Sequence, residues 1–241
     1  MTAIMTEHTA KAFDTDLHEM TRLVAEMGGL AEKQIADAVD ALAKRDGELA
    51  QRVVAADPLI DALQREIETK AVLTIARRQP MAVDLRELVS ALRIANDLER
   101  IGDLAKNIGK RVAALTGDFR PQRLIRGVEH MASLVLGQLK GVLDSYAGRD
   151  LEAALAVWKG DEEVDALCTS LFRELLTYMM EDPRNITFCI HLMFCAKNIE
   201  RMGDHATNIA ETVYYMIEGR ALADERPKGD TTSFATLAME K

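Results

Sequence analysis

The sequence has little glycine, little proline and few aromatic rings. Its 241 residues include 14 Gly, 5 Pro and only 5% aromatic side chains. β-Branched runs are rare as well, so a fold built on strands and tight turns is excluded. The three cysteines are an odd number without a Cys-x-x-Cys pair. They read as reduced, buried thiols, which fits the cytoplasm. No uncharged apolar run reaches the ~18 residues of a membrane span. The first twelve residues carry charges and show no apolar signal-peptide core. Positive charge is also in deficit, with a net charge of −9. That excludes electrostatic binding to nucleic acid and simple adhesion to an anionic membrane. It suits the binding of cations. There is no Walker A loop, no Gly-x-Ser-x-Gly and no glycine-rich phosphate cradle.

What remains is rich in Ala, Leu, Met, Glu and Arg, with 48% hydrophobic and 29% charged residues. These are strong helix formers, and the composition predicts an all-α fold. Apolar spacing and stop signals predict six long helices, over 7–43, 46–78, 82–114, 121–147, 150–180 and 184–218. Gly28-Gly29 marks a kink or a close contact in the first. Pro58 is expected to kink the second or break its hydrogen bonds. A helix of ~33 residues is about 50 Å long, and loops this short force neighbours antiparallel.

The halves repeat. Arg45-Asp46 recurs as Arg149-Asp150, and Asp57, Asp61, Ala62 and Leu63 recur as Asp161, Asp165, Ala166 and Leu167, all at an offset of 104. Glu99, Arg100, Gly102, Asp103 and Asn107 recur as Glu200, Arg201, Gly203, Asp204 and Asn208 at an offset of 101. The second hairpin is therefore three residues shorter. The expected architecture is two tandem three-helix bundles, over 7–117 and 121–218, with a fraying tail over 219–241.

Glu99 and Asp103 lie four apart on one helix face, as do Asp57 and Asp61 on the preceding helix. Asp57 with Asp103, and Asp61 with Glu99, are both centred on Pro80, the predicted turn. Asp161 with Asp204, and Asp165 with Glu200, are both centred between Asp182 and Pro183, again at a turn. Axial height is thus matched in both copies, while the azimuth is not fixed by this arithmetic. Four carboxylates at one level repel. Partial protonation, a basic partner or a bound cation relieves them. Arg65, Arg100 and Arg201 are candidate neutralisers of a merely solvated face. Hard oxygen ligands suit Mg, Ca, Mn or Fe, and bridging carboxylates hold more than one ion. Gly102 and Gly203 cost about 0.8–1 kcal/mol each against Ala in mid-helix, which points to close packing. His205 follows Asp204 and could assist a metal, but it lies about 100° round the helix and has Leu104 at its counterpart position. Cys189 and Cys195 read as core, as do the scattered methionines.

Ala76-Arg77-Arg78-Gln79-Pro80, Asp84-Leu85-Arg86, Leu98-Glu99-Arg100-Ile101-Gly102-Asp103, Tyr178-Met179-Met180-Glu181-Asp182 and Ile199-Glu200-Arg201-Met202-Gly203-Asp204 together resemble the PhoU family of phosphate-transport regulators. Met27-Gly28-Gly29 and Arg52-Val53-Val54 with Asp57 fit as well. The resemblance spans about residues 15–218 and implies a bacterial regulator, not an enzyme. It implies repression of the phosphate-starvation response and restraint of phosphate uptake. The implied partners are a phosphate ABC transporter with its ATPase and a sensor histidine kinase, with a homodimer expected. It also implies divalent or iron-type metal ions at Asp57, Asp61, Glu99 and Asp103, and at Asp161, Asp165, Glu200 and Asp204. Two rivals stand beside it. One is a helical structural or adaptor protein, either binding metal or acting, without ions, only through its surface. The other is a carboxylate-bridged di-metal oxidase, whose Glu-x-x-His pattern is missing because Gly102 and Gly203 stand at the His positions.

Overall fold

A computed structural model describes residues 2–115 and 121–223, with side chains from residue 13 onward. Seven α-helices and one 3-10 turn are present, and no strand occurs among the described residues. The first bundle holds α1 (Thr2–Lys44), α2 (Gly47–Arg78) and α3 (Val83–Val112). The second holds α4 (Gln122–Gly148), α5 (Leu151–Lys159), α6 (Asp161–Glu181) and α7 (Ile186–Glu218), with the 3-10 turn Pro183–Asn185 ahead of α7. The tandem bundles are therefore as the repeats predict. Beyond residue 223, the expected tail lies outside the described residues.

Two expectations need correction. The helix predicted over 150–180 is broken at Gly160 into α5 and α6. The Gly160 N–H is shared between the Ala156 and Val157 carbonyls, at 3.2 and 3.0 Å. The backbone there sits at φ −76, ψ −2 rather than in a continuing helix. Pro58, by contrast, does not interrupt α2, which runs unbroken from Gly47 to Arg78. A single missing N–H is tolerated in a long helix held by Val53, Ile60 and Ile67, all buried.

The core is continuous through both bundles. It joins Leu23, Ile35, Leu98 and Ile101 of the first to Val135, Leu139, Ile199 and Met202 of the second. The bundles meet where α3 packs on α7 and α1 on α4. Gly28 is one reason they close. A Cβ there would meet Leu143 Cδ1 of α4 at 2.5 Å, so the glycine marks a close contact. Buried polar groups also cross the seam. His205 Nδ1 lies 2.8 Å from Asp97 Oδ1, and Asn208 Nδ2 lies 3.5 Å from the same oxygen.

The duplicated Arg-Asp loops follow one design. Asp46 caps α2 by accepting from the Leu49 N–H at 2.9 Å, and Asp150 caps α5 by accepting from Ala153 N–H at 3.0 Å. The arginine before each takes a left-handed conformation, with φ 56 at Arg45 and 51 at Arg149. That costs about 1–2 kcal/mol for a residue other than glycine. Each arginine reaches the opposite bundle. Arg45 stacks 5.2 Å from the Phe188 ring, and Arg149 pairs with Glu87 at 2.5 Å. Glu87 and Phe188 are themselves counterparts at the offset of 101.

Candidate functional site

The hairpin of α2 and α3 brings Asp57, Asp61, Glu99 and Asp103 to one face. Lys106, one turn past Asp103, bridges the two helices. Its Nζ donates to Asp57 Oδ2 at 2.6 Å and to Asp103 Oδ1 at 2.5 Å. Burial works against the charged ammonium, but those two hydrogen bonds outweigh it and hold the lysine well above its ordinary value. Glu99 is pushed up instead. Burial is the main cause; Arg100 opposes it, and the charges of Asp103 and Asp61 add to it. Lys106 thus ties Asp57 to Asp103 across the hairpin, and Glu99 lies within charge range of Asp61 and Asp103.

The second copy repeats this placement on α6 and α7. Glu200 is raised by burial first, with Lys197 opposing and Asp204 and Asp165 adding to the shift. Asp161 is 2% exposed, and its Oδ1 would stand 3.6 Å from a Cβ on Gly203. Lys197 Nζ donates to Glu200 Oε1 at 2.7 Å.

The neutralising groups differ from those expected. Arg100 contributes, at 3.3 Å from Glu99 and 3.7 Å from Asp103. Arg65 lies elsewhere, lining a cleft with Asp16, Thr69 and Arg77. The main compensators are Lys106 and Lys197. Each is three residues from an acidic partner, a spacing visible in the sequence. The sequence reading also passed over Gln34 and Gln138, which share the offset of 104. They explain the glycines. A Cβ on Gly102 would meet Gln34 Oε1 at 3.0 Å and Ile60 Cδ1 at 2.9 Å, and one on Gly203 would meet Gln138 Oε1 at 3.3 Å. The first helix of each bundle thus closes on the motif where side chains are absent.

The donor set suits a hard cation. Each face keeps one buried carboxylate oxygen without a hydrogen-bond donor, Glu99 Oε2 and Glu200 Oε2. Arg100 Nε is close enough to Glu99 Oε2 to pair in charge, at 3.3 Å, but is not aligned to donate. As they stand, no three acidic, thiol or imidazole groups among the described residues are arranged to hold an ion. In the first face the ammonium of Lys106 supplies positive charge between Asp57 and Asp103. His205 turns away to Asp97 and takes no part. Cys189 and Cys195 are free and buried, and burial pushes the Cys195 thiol up to about 12. Cys195 is thus a core thiol, not a nucleophile.

A duplicated three-helix bundle with an acidic face on each copy defines the class of scaffold. The PhoU domain profile matches residues 24–112 and again 128–213. The chain is 60% identical over 226 residues to the phosphate-specific transport system accessory protein PhoU homolog of Rhizobium meliloti (strain 1021), covering 94% of this chain and 95% of that one. It is 56% identical over 229 residues to the homolog of the same name from Caulobacter vibrioides (strain NA1000 / CB15N), covering 95% and 100%. The crystal structure of PhoU from Pseudomonas aeruginosa superposes with a TM-score of 0.81 at 40% identity, over 86% of this chain and 100% of that one. The PhoU structure from Streptococcus pneumoniae gives 0.81 at 27% identity, over 87% and 99%. This chain belongs to the PhoU family.

Proposed function

We propose that this protein is a cytoplasmic regulator of phosphate transport. It represses the phosphate-starvation response by coupling a phosphate ABC transporter, through its ATPase, to a sensor histidine kinase. The observation that carries the reading is near full-length similarity to proteins named as accessory to phosphate-specific transport, at up to 60% identity. The protein acts as an adaptor rather than an enzyme, offering long rigid helix faces to its partners. No helix among the described residues is long and apolar enough to cross a membrane, which agrees with docking from the cytoplasmic side. Ile186, Ile190 and Phe194 form an exposed apolar stripe at four-residue spacing on α7, suited to association with a second copy.

The acidic faces are read as metal sites. Asp57, Asp61, Glu99 and Asp103 would hold a divalent or iron-type ion in the first bundle. Asp161, Asp165, Glu200 and Asp204 would do so in the second. A bound ion supplies positive charge that relieves the carboxylates, and it requires Lys106 to swing aside. Two measurements test the reading. Deleting the gene should switch on a phosphate-starvation reporter in high phosphate; continued repression refutes the regulatory role. The double variant Glu99→Ala, Asp103→Ala should contain less metal by elemental analysis of protein purified without chelator. Full metal retention refutes the site.

A further inference from the structure

The two copies match in their four carboxylates and differ three residues past the last of them. Lys106 follows Asp103, and the uncharged Thr207 follows Asp204. Lys106 reaches across the hairpin. Its Nζ lies 2.6 Å from Asp57 Oδ2 on α2 and 2.5 Å from Asp103 Oδ1 on α3. The lysine side chain is only 21% exposed and that of Asp57 only 10%, so solvent screens the contact weakly. Arg100 is placed otherwise. It is 55% exposed, and its ion pairs with Glu99 and Asp103 both stay within α3.

Hard divalent ions hold carboxylate oxygens at about 2.0–2.6 Å. Lys106 draws one oxygen of Asp57 and one of Asp103 to nearly that distance. Both residues belong to the four that would ligate an ion in the first bundle. An oxygen that accepts from the ammonium has a lone pair the less for an ion. The ammonium also repels any second cation a few ångströms away, and weak screening keeps that repulsion strong. Lys106 therefore opposes loading twice, through shared ligands and through like charge. An exposed arginine that shares no ligand across the hairpin opposes it far less.

We propose that Lys106 is a built-in competitor of the first metal site: it sets the cation concentration at which that face loads, and it gives up Asp57 and Asp103 when loading occurs. The assignment rests on the reading of the acidic faces as metal sites. It adds the chain's own control over one of them. Scarce cation leaves Lys106 tied to both helices, and abundant cation releases it.

The test titrates manganese(II) into the full chain and counts the free ion by electron paramagnetic resonance. Every titrated chain also carries Glu200→Ala and Asp204→Ala, which silence the second face. In that background Lys106→Thr should bind manganese at least ~10-fold more tightly. Arg100→Gln should gain ~5-fold or less. A second reading uses the wild-type chain, so it stands even where Lys106→Thr fails to fold. Acylation of Lys106 by a succinimidyl ester, followed by peptide mass spectrometry, should rise when manganese saturates the protein. Lys33, paired with Asp37 on the outer surface of α1, should keep its rate. Equal or weaker binding by Lys106→Thr, or a Lys106 no more reactive in manganese, overturns the proposal. The metal site would then stand, with Lys106 as a brace between helices. A gain at Arg100→Gln as large as that at Lys106→Thr overturns it too, because any nearby positive charge would then suffice. No manganese at the first face of any of these chains overturns the metal reading itself, and the proposal with it.

Discussion

Lys106 bridges Asp57 and Asp103 in the first bundle, whereas the second bundle carries Thr207 at that position and brings Lys197 to Glu200. Thr207 spends its hydroxyl on the Gly203 carbonyl at 3.1 Å. Both faces keep four carboxylates in the same places, yet each is neutralised by a lysine from a different point on the helix. The duplication therefore preserved the acidic residues and the glycine beneath them, and let the compensating charge move. In the first face the cation joins two helices. In the second it meets Glu200, three residues on along α7.

That difference predicts unequal losses. Lys106→Met leaves Asp57, largely buried, without its cation, while Arg100 still serves Glu99 and Asp103, and should cost about 3 kcal/mol in urea denaturation. Adding a divalent cation should restore much of it. Lys197, 42% exposed, should cost about 1 kcal/mol or less on the same substitution. Equal losses would show that the two faces are compensated alike.

The seam between bundles offers a second comparison. Asp97 and His205 correspond to Asn198 and Leu104 under the repeat, and Asn198 Nδ2 is buried without a partner. His205→Leu leaves the buried Asp97 carboxylate with only the 3.5 Å contact from Asn208 and should cost about 2 kcal/mol. Asn198→Leu removes an amide that is already unpaired and should be close to neutral. Thermal melts of the two variants decide between them, and a larger loss at Asn198 would break the comparison.

The smallest effect is in pH dependence. Burial raises both Glu99 and Glu200 above their ordinary value of 4.5 in the folded chain. The folded state then binds protons more tightly than the unfolded one. Stability is fully present below 4.5 and is lost as pH rises through the folded value. Glu200→Gln should flatten that fall and raise the melting temperature at neutral pH. Glu99→Gln should do the same to a lesser degree, because Glu99 is the more exposed of the two. Melts from pH 4 to pH 8 that match wild type would show that neither carboxyl carries a penalty.

Much of this was legible before any coordinates. The helical composition, the two offsets and the turn-centred pairing of Asp57 with Asp103 and Asp61 with Glu99 place the elements and the carboxylates. Helix periodicity is a strong signal over thirty residues, and antiparallel hairpins turn sequence distance into height. The break at Gly160 was not legible, because an isolated glycine inside an apolar-periodic run is usually tolerated. Pro58 misled in the opposite sense, since buried contacts on both sides outweigh one lost backbone bond. Lys106 and Lys197 correspond to Thr207 and Asn96 in the other copy, so the repeat does not mark them. Gln34 and Gln138 carry no chemistry that spacing alone would flag; only their contact with Gly102 and Gly203 makes them visible.

The left-handed arginines at Arg45 and Arg149 carry a wider consequence. Each sits on the loop of one bundle and grips the other, and the two grips lie at counterpart positions. These grips reinforce a seam that the shared core already closes. Motion of one bundle against the other must release the stacked ring, the Glu87 pair and the Asp97–His205 contact together. A displacement of one bundle against the other is therefore read by residues far from either acidic face, at Arg45, Arg149 and His205.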